Sequence, residues 1–291
     1  MANTIPFPYV WQAKAQELFR ERLVAMEITN TDIDTSYNYG KRIYKSYAST
    51  PVGQAYTTDP ATLIPRENFV LTDEYLEINK THSIREYLDD LDVKKSQVNL
   101  EAEIGDGIMY TLKETVDKDV LASYVTVFGA NDQYIFDEGD YNGGVPTGVP
   151  ISLAPASTPK LLSQMMRKLH QNKAYGDEYI IVCDPATMQS INEYATTAGF
   201  NTADAAIRNG YVGSYQGFKF FTTNLITAAG DGKKHIYAGR RGMIDFISTL
   251  NPTMEVQRVN GKTGNDYIGT VEWGVKAFTQ RRTQFLDVHI A

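Results

Sequence analysis

Residues 100–124 carry an apolar side chain at every fourth position, and this pattern constrains the fold more than any other. The series is Leu100, Ile104, Ile108, Leu112, Val116, Val120 and Tyr124. It predicts an amphipathic helix, with Asp92 or Ser96 as the candidate N-cap. Gly105 and Gly107 weaken this helix or mark a tight crossing. A helix over 96–128 would be about 50 Å long, which predicts an elongated spine.

The stretch 39–49, YGKRIYKSYAS, is basic, aromatic and β-prone, but it does not alternate between apolar and polar positions. It predicts one strand over 41–48, and the stretch FVLTDEYLEI predicts a second over 69–78. Between them, prolines punctuate an irregular tip. Each arm of such a hairpin would reach about 30 Å. A two-stranded hairpin is marginal alone in water, so we expect this one to lie mostly on other copies of the chain.

The first 35 residues combine an extended, proline-rich start with one predicted helix, QAKAQELFRERLVAME. The rings of Phe7, Tyr9 and Trp11 lie in the extended part. An extended terminus that carries three aromatic rings needs a surface to cover them. We therefore expect this segment to contact another subunit.

The second half of the chain reads as an α/β region followed by strands. Helices are predicted over TPKLLSQMMRKLHQN and from Pro185 onward, with YIIVC as a buried strand between them. The preceding DEGDYNGG stretch reads as a solvated loop. Residues 246–291 read as β-strands that return to pack against the long helix. One domain would then be built from two separated parts of the chain.

The composition of the chain limits the functions that it can have. The chain has 291 residues, a net charge of −7 and a pI near 5.2, which argues against direct gripping of nucleic acid. Tyrosine is frequent, at 19 residues against 12 Phe, and favours partly wet contacts between proteins. No apolar run is long enough for a membrane span, and no secretory signal is visible. The single Cys183 reads as a core thiol in a reducing compartment.

Motifs that suggest chemistry are incomplete. The GKT at 261–263 lacks the first glycine of a phosphate-binding loop and reads as a hairpin turn. YIIVCDP lacks the glycine-rich loop of a nucleotide site. The four histidines are scattered without ligand spacing. The sequence therefore predicts no enzyme, no catalytic residue, no cofactor and no metal site.

The order of parts, rather than any motif, resembles the major capsid proteins of tailed bacteriophages, which have the Hong Kong 97 fold. An arm, a long hairpin, a spine helix, an α/β domain and returning strands follow one another. The local text that carries the resemblance is LTDEYLEINKTHSIREYLDDLDVKKSQVNL, RNGYVGSYQGFKFFTTNL, GRRGMIDFISTLNPTMEVQRV and DYIGTVEWGVKAFTQRRTQFLDVHI. The resemblance runs over nearly the whole chain.

The resemblance implies an α+β fold with five parts. These are an N-arm (1–35), an E-loop hairpin (36–80), a P-domain (81–154) with its spine helix at about 92–128, an α/β A-domain (155–245) and returning P-domain strands (246–291). It also implies a structural protein that assembles in the host bacterial cytoplasm into the icosahedral shell of a virion. Its partners would be copies of itself in hexamers and pentamers, a separate scaffolding protein, a portal and decoration proteins, with weak contact to packaged DNA and none to a membrane.

Candidate contacts between subunits follow from the arm and the hairpin. They are Phe7, Tyr9, Trp11, Lys41, Arg42, Tyr44, Lys45, Tyr47, Tyr56 and Arg66. None of Asn251, Asn260 and Asn265 matches the family's crosslinking asparagine, so no covalent crosslink is predicted. Two alternatives stay open: an encapsulin-type shell that stores a cargo enzyme, and a soluble α/β enzyme with a mobile hairpin.

Overall fold

The computed structural model describes residues 23–31, 42–49, 51, 68–96, 99–128, 134–143, 148–176, 178–197, 214–226 and 232–291. These residues form three sheets and one long helix. The helices are α1 (Ala25–Ile28), α2 (Asp90–Lys95), α3 (Leu100–Phe128), α4 (Glu138–Asn142), α5 (Thr158–Gln171), α6 (Pro185–Thr197) and α7 (Thr279–Arg282).

The strands fall into three groups by position in the chain. The hairpin strands are β2 (Arg42–Ala48) and β3 (Leu71–Glu77), and two short strands are β1 (Thr29–Asn30) and β5 (Ile135–Phe136). The remaining strands are β4 (Lys80–Asp89), β6 (Tyr179–Cys183), β7 (Ser214–Tyr215), β8 (Phe218–Thr222), β9 (Lys234–Arg240), β10 (Ile244–Arg258), β11 (Gly264–Lys276) and β12 (Phe285–Ile290).

The spine helix α3 is present, but it begins later than predicted. Asn99 caps it, since its Oδ1 accepts a hydrogen bond from Ala102 N at 3.3 Å. The residues before it form the separate short helix α2, which Asp89 caps by accepting from Leu91 N at 2.9 Å. The prediction that Asp92 or Ser96 is the N-cap of α3 is wrong, because Asp92 lies within α2 and Ser96 is the C-cap of α2.

The four-stranded sheet, in the order β1-β10-β11-β4, packs against α3. Apolar residues from α3 and from the sheet form one buried cluster there, which includes Ile108, Leu112, Val120, Tyr267 and Val271. A polar link adds to it: Asp119 on α3 accepts hydrogen bonds from Trp273 Nε1 at 2.7 Å and from Lys80 Nζ at 2.6 Å. The apolar stripe read from the sequence is therefore the face that meets this sheet.

Two glycines show how closely helix and sheet approach. A Cβ at Gly105 would lie 3.3 Å from the Met254 side chain, so the predicted tight crossing is confirmed there. A Cβ at Gly269 on β11 would lie 2.2 Å from Ile108 Cγ2 and 2.9 Å from Leu112 Cδ1. The sheet thus touches α3 with backbone at Gly269, and no side chain fits between them.

Replacing Gly269 with valine is expected to lower the free energy of unfolding by about 3 kcal/mol, because the helix must move away from the sheet. The control is Gly107→Ala, since a Cβ at Gly107 meets nothing within 4 Å and alanine favours the helix. Urea unfolding of the unassembled chain measures both. Equal stability of Gly269→Val and the wild-type chain would contradict the packing described here.

The six-stranded sheet, in the order β5-β12-β9-β6-β8-β7, has apolar cover on both faces. Helices α5 and α6 pack on one face. The end of α3 and the segment around α1 pack on the other, through Leu121, Tyr124, Val24 and Ile28. This double cover explains why all five residues of β6 are buried.

The last strand differs from the sequence expectation. Residues 285–290 were expected among the P-domain strands that return to the spine helix, yet β12 pairs antiparallel with β9 and parallel with β5 in the six-stranded sheet. All six residues of β12 are buried. Such a strand needs a sheet that is covered on both faces, whereas β4 of the four-stranded sheet is largely exposed.

Two further segments test loop predictions. The prediction that the DEGDYNGG stretch is a solvated loop is wrong, because Asp137 is buried and caps α4. Its Oδ1 accepts a hydrogen bond from Gly139 N at 2.9 Å. The GKT stretch is confirmed as the turn between β10 and β11, with Gly261 at a φ of 77°. A phosphate-binding loop would instead lead into a helix.

The described part of the N-terminal segment is fastened to the spine. Asp117 of α3 is buried and accepts hydrogen bonds from Val24 N at 3.1 Å and Ala25 N at 2.6 Å. Most of the helix predicted near the start lies outside the described residues. Among the helices that the structure does describe, none combines the length and the apolar character that crossing a membrane requires.

Candidate subunit-interaction surface

Strands β2 and β3 form the base of the predicted hairpin. They pair antiparallel from Arg42 opposite Glu77 to Ala48 opposite Leu71. Burial along β2 alternates, with Ile43, Lys45 and Tyr47 more buried than their neighbours. The hairpin therefore has an inner face toward the chain itself and an outer face toward solvent.

The inner face rests on an apolar cluster. Ile43 and Leu76, which are opposite each other in the hairpin, pack with Ile78, Ile247 and Phe278. The Tyr47 ring adds to this cluster, with its centroid 6.1 Å from that of Phe278. The hairpin base is thus seated on the start of β10 and the segment after β11.

A buried carboxylate fastens the same base. Asp245 has no exposed surface, and its oxygens accept hydrogen bonds from Lys45 Nζ at 2.7 Å, Arg281 Nη1 at 2.9 Å and Asn30 Nδ2 at 2.8 Å. We call this group of four side chains the Asp245 latch. Two cations and an amide satisfy the buried carboxylate from three different segments.

A second polar link lies beside the latch. Glu74 of β3 accepts a hydrogen bond from Thr279 N at 3.2 Å, and Lys276 Nζ donates to the backbone oxygen of Tyr75 at 2.6 Å. Burial alone would raise the pKa of Glu74, but the hydrogen bonds from Thr279 and the charge of Lys276 lower it overall. Glu74 is therefore ionised near neutral pH, which keeps this link intact.

The outer face is aromatic and exposed. The Tyr44 and Tyr75 rings lie 5.5 Å apart, and the Arg42 guanidinium lies 4.6 Å from the Tyr75 centroid while pairing with Glu77 at 2.9 Å. Apolar residues at the start of β3 extend this surface. We define the hairpin patch as Tyr44, Phe69, Val70, Leu71 and Tyr75, of which Tyr44 is 62% and Phe69 71% exposed. Exposed apolar residues grouped on one hairpin mark a protein contact more often than single scattered ones do.

The structure sorts the candidate contact residues into three groups. Arg42 and Tyr44 are exposed on the outer face. Lys45 and Tyr47 face the chain's own residues, so their main partners are internal. The others lie outside the described residues: Phe7, Tyr9, Trp11, Lys41, Tyr56 and Arg66.

Sequence reasoning missed part of the hairpin patch. It assigned 69–78 to a strand but singled out no residue in it. The available signal was Phe69, Val70 and Leu71 in a row, since three consecutive apolar residues in a two-stranded hairpin cannot all face one core.

The cysteine is unsuited to catalysis. Burial raises the pKa of the Cys183 thiol to about 12, and Sγ lies 3.7 Å from the backbone oxygen of Phe221. Since the thiolate is the nucleophile, almost none is present at neutral pH. The prediction of a core thiol is confirmed.

Comparison with solved structures decides the fold. A structure from Mycobacterium phage Che8 matches with a TM-score of 0.78 at 17% identity, over 99% of this chain and 98% of that one. The capsid structure of the cyanophage P-SCSP1u matches with a TM-score of 0.70 at 12% identity, over 98% of this chain and 93% of that one. The chain has the fold of phage capsid proteins. The capsid of Ralstonia phage GP4 also matches, with a TM-score of 0.65 at 12% identity, over 100% of this chain and 98% of that one.

The capsid-protein fold confirms the α+β class of Hong Kong 97 type expected from the order of parts. The matches extend over nearly the full length of both chains, so the likeness is not limited to one domain. No protein-family model and no curated protein matches this sequence. The likeness is therefore one of fold, which the sequence comparisons do not detect.

Proposed function

We propose that the chain is the major capsid protein of a tailed bacteriophage, and that its copies form the icosahedral shell around a double-stranded DNA genome. The observation that carries the proposal is the full-length likeness to the capsids of the cyanophage P-SCSP1u and Ralstonia phage GP4. The role is structural, and no residue is assigned to catalysis.

The hairpin supports assembly by presenting an apolar surface at a fixed angle. The Asp245 latch and the apolar cluster under Ile43 hold the hairpin base on the subunit. The hairpin patch is then free to lie on an adjacent copy. Because the base is fastened beforehand, little conformational entropy remains to be lost at this contact when subunits meet.

The other parts of the proposal concern partners and place. Copies would group into hexamers and pentamers around the α/β domain, helped by a separate scaffolding protein, a portal and decoration proteins. Assembly would take place in the cytoplasm of the host bacterium. The net charge of −7 keeps contact with packaged DNA weak, because counterion release requires basic residues.

Electron microscopy tests the proposal. The chain is expressed alone and with candidate scaffolding proteins, and native particles containing it are isolated in parallel. We expect closed shells hundreds of ångströms across, with the native ones containing DNA. Shells filled with a cargo enzyme would support the encapsulin alternative instead. If every source yields only monomers and small oligomers, the proposed shell function is wrong and the soluble α/β enzyme becomes the better alternative.

A further inference from the structure

Three side chains with metal-binding atoms meet inside the protein. His235 Nδ1 lies 2.8 Å from Asp287 Oδ2, and His289 Nε2 lies 3.2 Å from the same oxygen. One ligand atom from each residue can be chosen so that all three lie within 4.8 Å of one another. We call these residues the His-Asp-His cluster.

Strand pairing brings the cluster together. His235 on β9 is directly opposite His289 on β12, and Asp287 precedes His289 by two residues on the same strand. Opposite residues and residues two apart share a face of a sheet, so all three side chains point the same way. The sequence did not predict this cluster, because His235 and Asp287 are 52 residues apart in the chain.

The cluster lies at the junction between the six-stranded sheet and the spine helix. The Tyr124 hydroxyl on α3 donates to the backbone oxygen of His235 at 2.8 Å, and the Tyr124 ring packs edge-on against Tyr237. The three side chains are 6% exposed or less. This is a closed, interior position without access for a substrate.

The hydrogen bonds within the cluster do not satisfy all of its polar atoms. In the part of the chain that the structure describes, Asp287 Oδ1 and His289 Nδ1 are buried without a hydrogen-bond partner. A buried carboxylate oxygen without a partner is costly, and native structures seldom keep one. A bound cation is a partner that fits this carboxylate, since it takes lone pairs from the carboxylate oxygens and from one nitrogen of each ring while neutralising the buried charge.

We propose that His235, Asp287 and His289 bind one divalent transition-metal ion, with Zn²⁺ the best chemical fit. Two imidazole nitrogens and one carboxylate form a donor set that zinc accepts. Bonds of about 2.1 Å in a tetrahedron place ligand atoms about 3.4 Å apart. Asp287 Oδ2 lies 2.8 Å and 3.2 Å from the two ring nitrogens, and no two of the ligand atoms are more than 4.8 Å apart. The fourth position is left for a water molecule. Because the site is closed, its role is to fasten the sheet where it meets the spine helix.

Metal analysis of the full chain, purified as unassembled subunits, tests the proposal. The chain is unfolded and refolded with one equivalent of Zn²⁺ or Co²⁺, so that burial does not block entry. We expect one ion per chain, the visible absorption of four-coordinate Co²⁺, and an unfolding temperature raised by about 5 °C with Zn²⁺. The measurement needs no shell, so it is independent of the proposed function.

Variants locate the ion. His289→Gln and Asp287→Asn are expected to lose the Co²⁺ absorption and the Zn²⁺-dependent shift, whereas His82→Gln, at an exposed histidine of β4, keeps both. Refolded wild-type chain without bound metal would overturn the proposal, even if the variants do not fold. Unchanged binding in the folded His289→Gln and Asp287→Asn variants would overturn it as well.

Discussion

Replacing Tyr44 with glutamate is expected to suppress shell assembly at concentrations where the wild-type chain assembles, while the isolated chain stays folded. Tyr44 is 62% exposed and lies at the centre of the outer hairpin face, so the chain's own core does not depend on it. In the proposed shell the side chain is covered by a neighbouring copy. A carboxylate buried there without a partner costs about 2 kcal/mol per contact, which raises the concentration needed for assembly about 30-fold.

Light scattering and electron microscopy measure assembly of this variant, and thermal unfolding of the unassembled chain measures its stability. Tyr44→Phe is the matched control, because it keeps the ring that packs near Tyr75 and should assemble like the wild-type chain. Normal shells from Tyr44→Glu would show that the hairpin patch is not a subunit contact.

Replacing Asp245 with alanine is expected to lower the free energy of unfolding by about 3–5 kcal/mol and to release the hairpin base. The change leaves Lys45 and Arg281 without their carboxylate in a site that is otherwise buried or half-buried. Removing one partner of a buried ion pair is far more damaging than removing an exposed one. Assembly should fail as a consequence, because the hairpin no longer has a fixed direction.

Amide hydrogen exchange in β2 and β3 reports on the hairpin directly, and urea unfolding reports on the whole chain. Glu77→Gln is the control, because it removes the exposed pair with Arg42 on the same hairpin and should change stability far less. Equal protection of β2 in Asp245→Ala and the wild-type chain would show that the apolar cluster alone holds the base.

The sequence predicted the elements whose pattern is local. The four-residue repeat identified α3, the run YIIVC identified β6, and Pro185 marked the start of α6. The caps of α3 and α2 were missed because Asn99 and Asp89 compete with several nearby acids and serines, and only backbone geometry distinguishes them.

The rest depends on long-range pairing. The stretch 39–49 showed no alternation because Lys45 occupies an inward position, where apolar residues are expected. It is tolerated there because Asp245, 200 residues away in the chain, supplies the counter-charge. The His-Asp-His cluster was invisible for the same reason, since only the β9–β12 register aligns its members.

The position of β12 also determines when the six-stranded sheet can be completed during synthesis of the chain. This strand lies between β5 and β9, so the six-stranded sheet has a gap until residues 285–290 have been synthesised. A nascent chain therefore has two unpaired strand edges and no completed sheet for the end of the spine helix to rest on. A chain that lacks residues 285–290 is therefore expected to keep the β5 and β9 edges unpaired and to leave the six-stranded sheet incomplete.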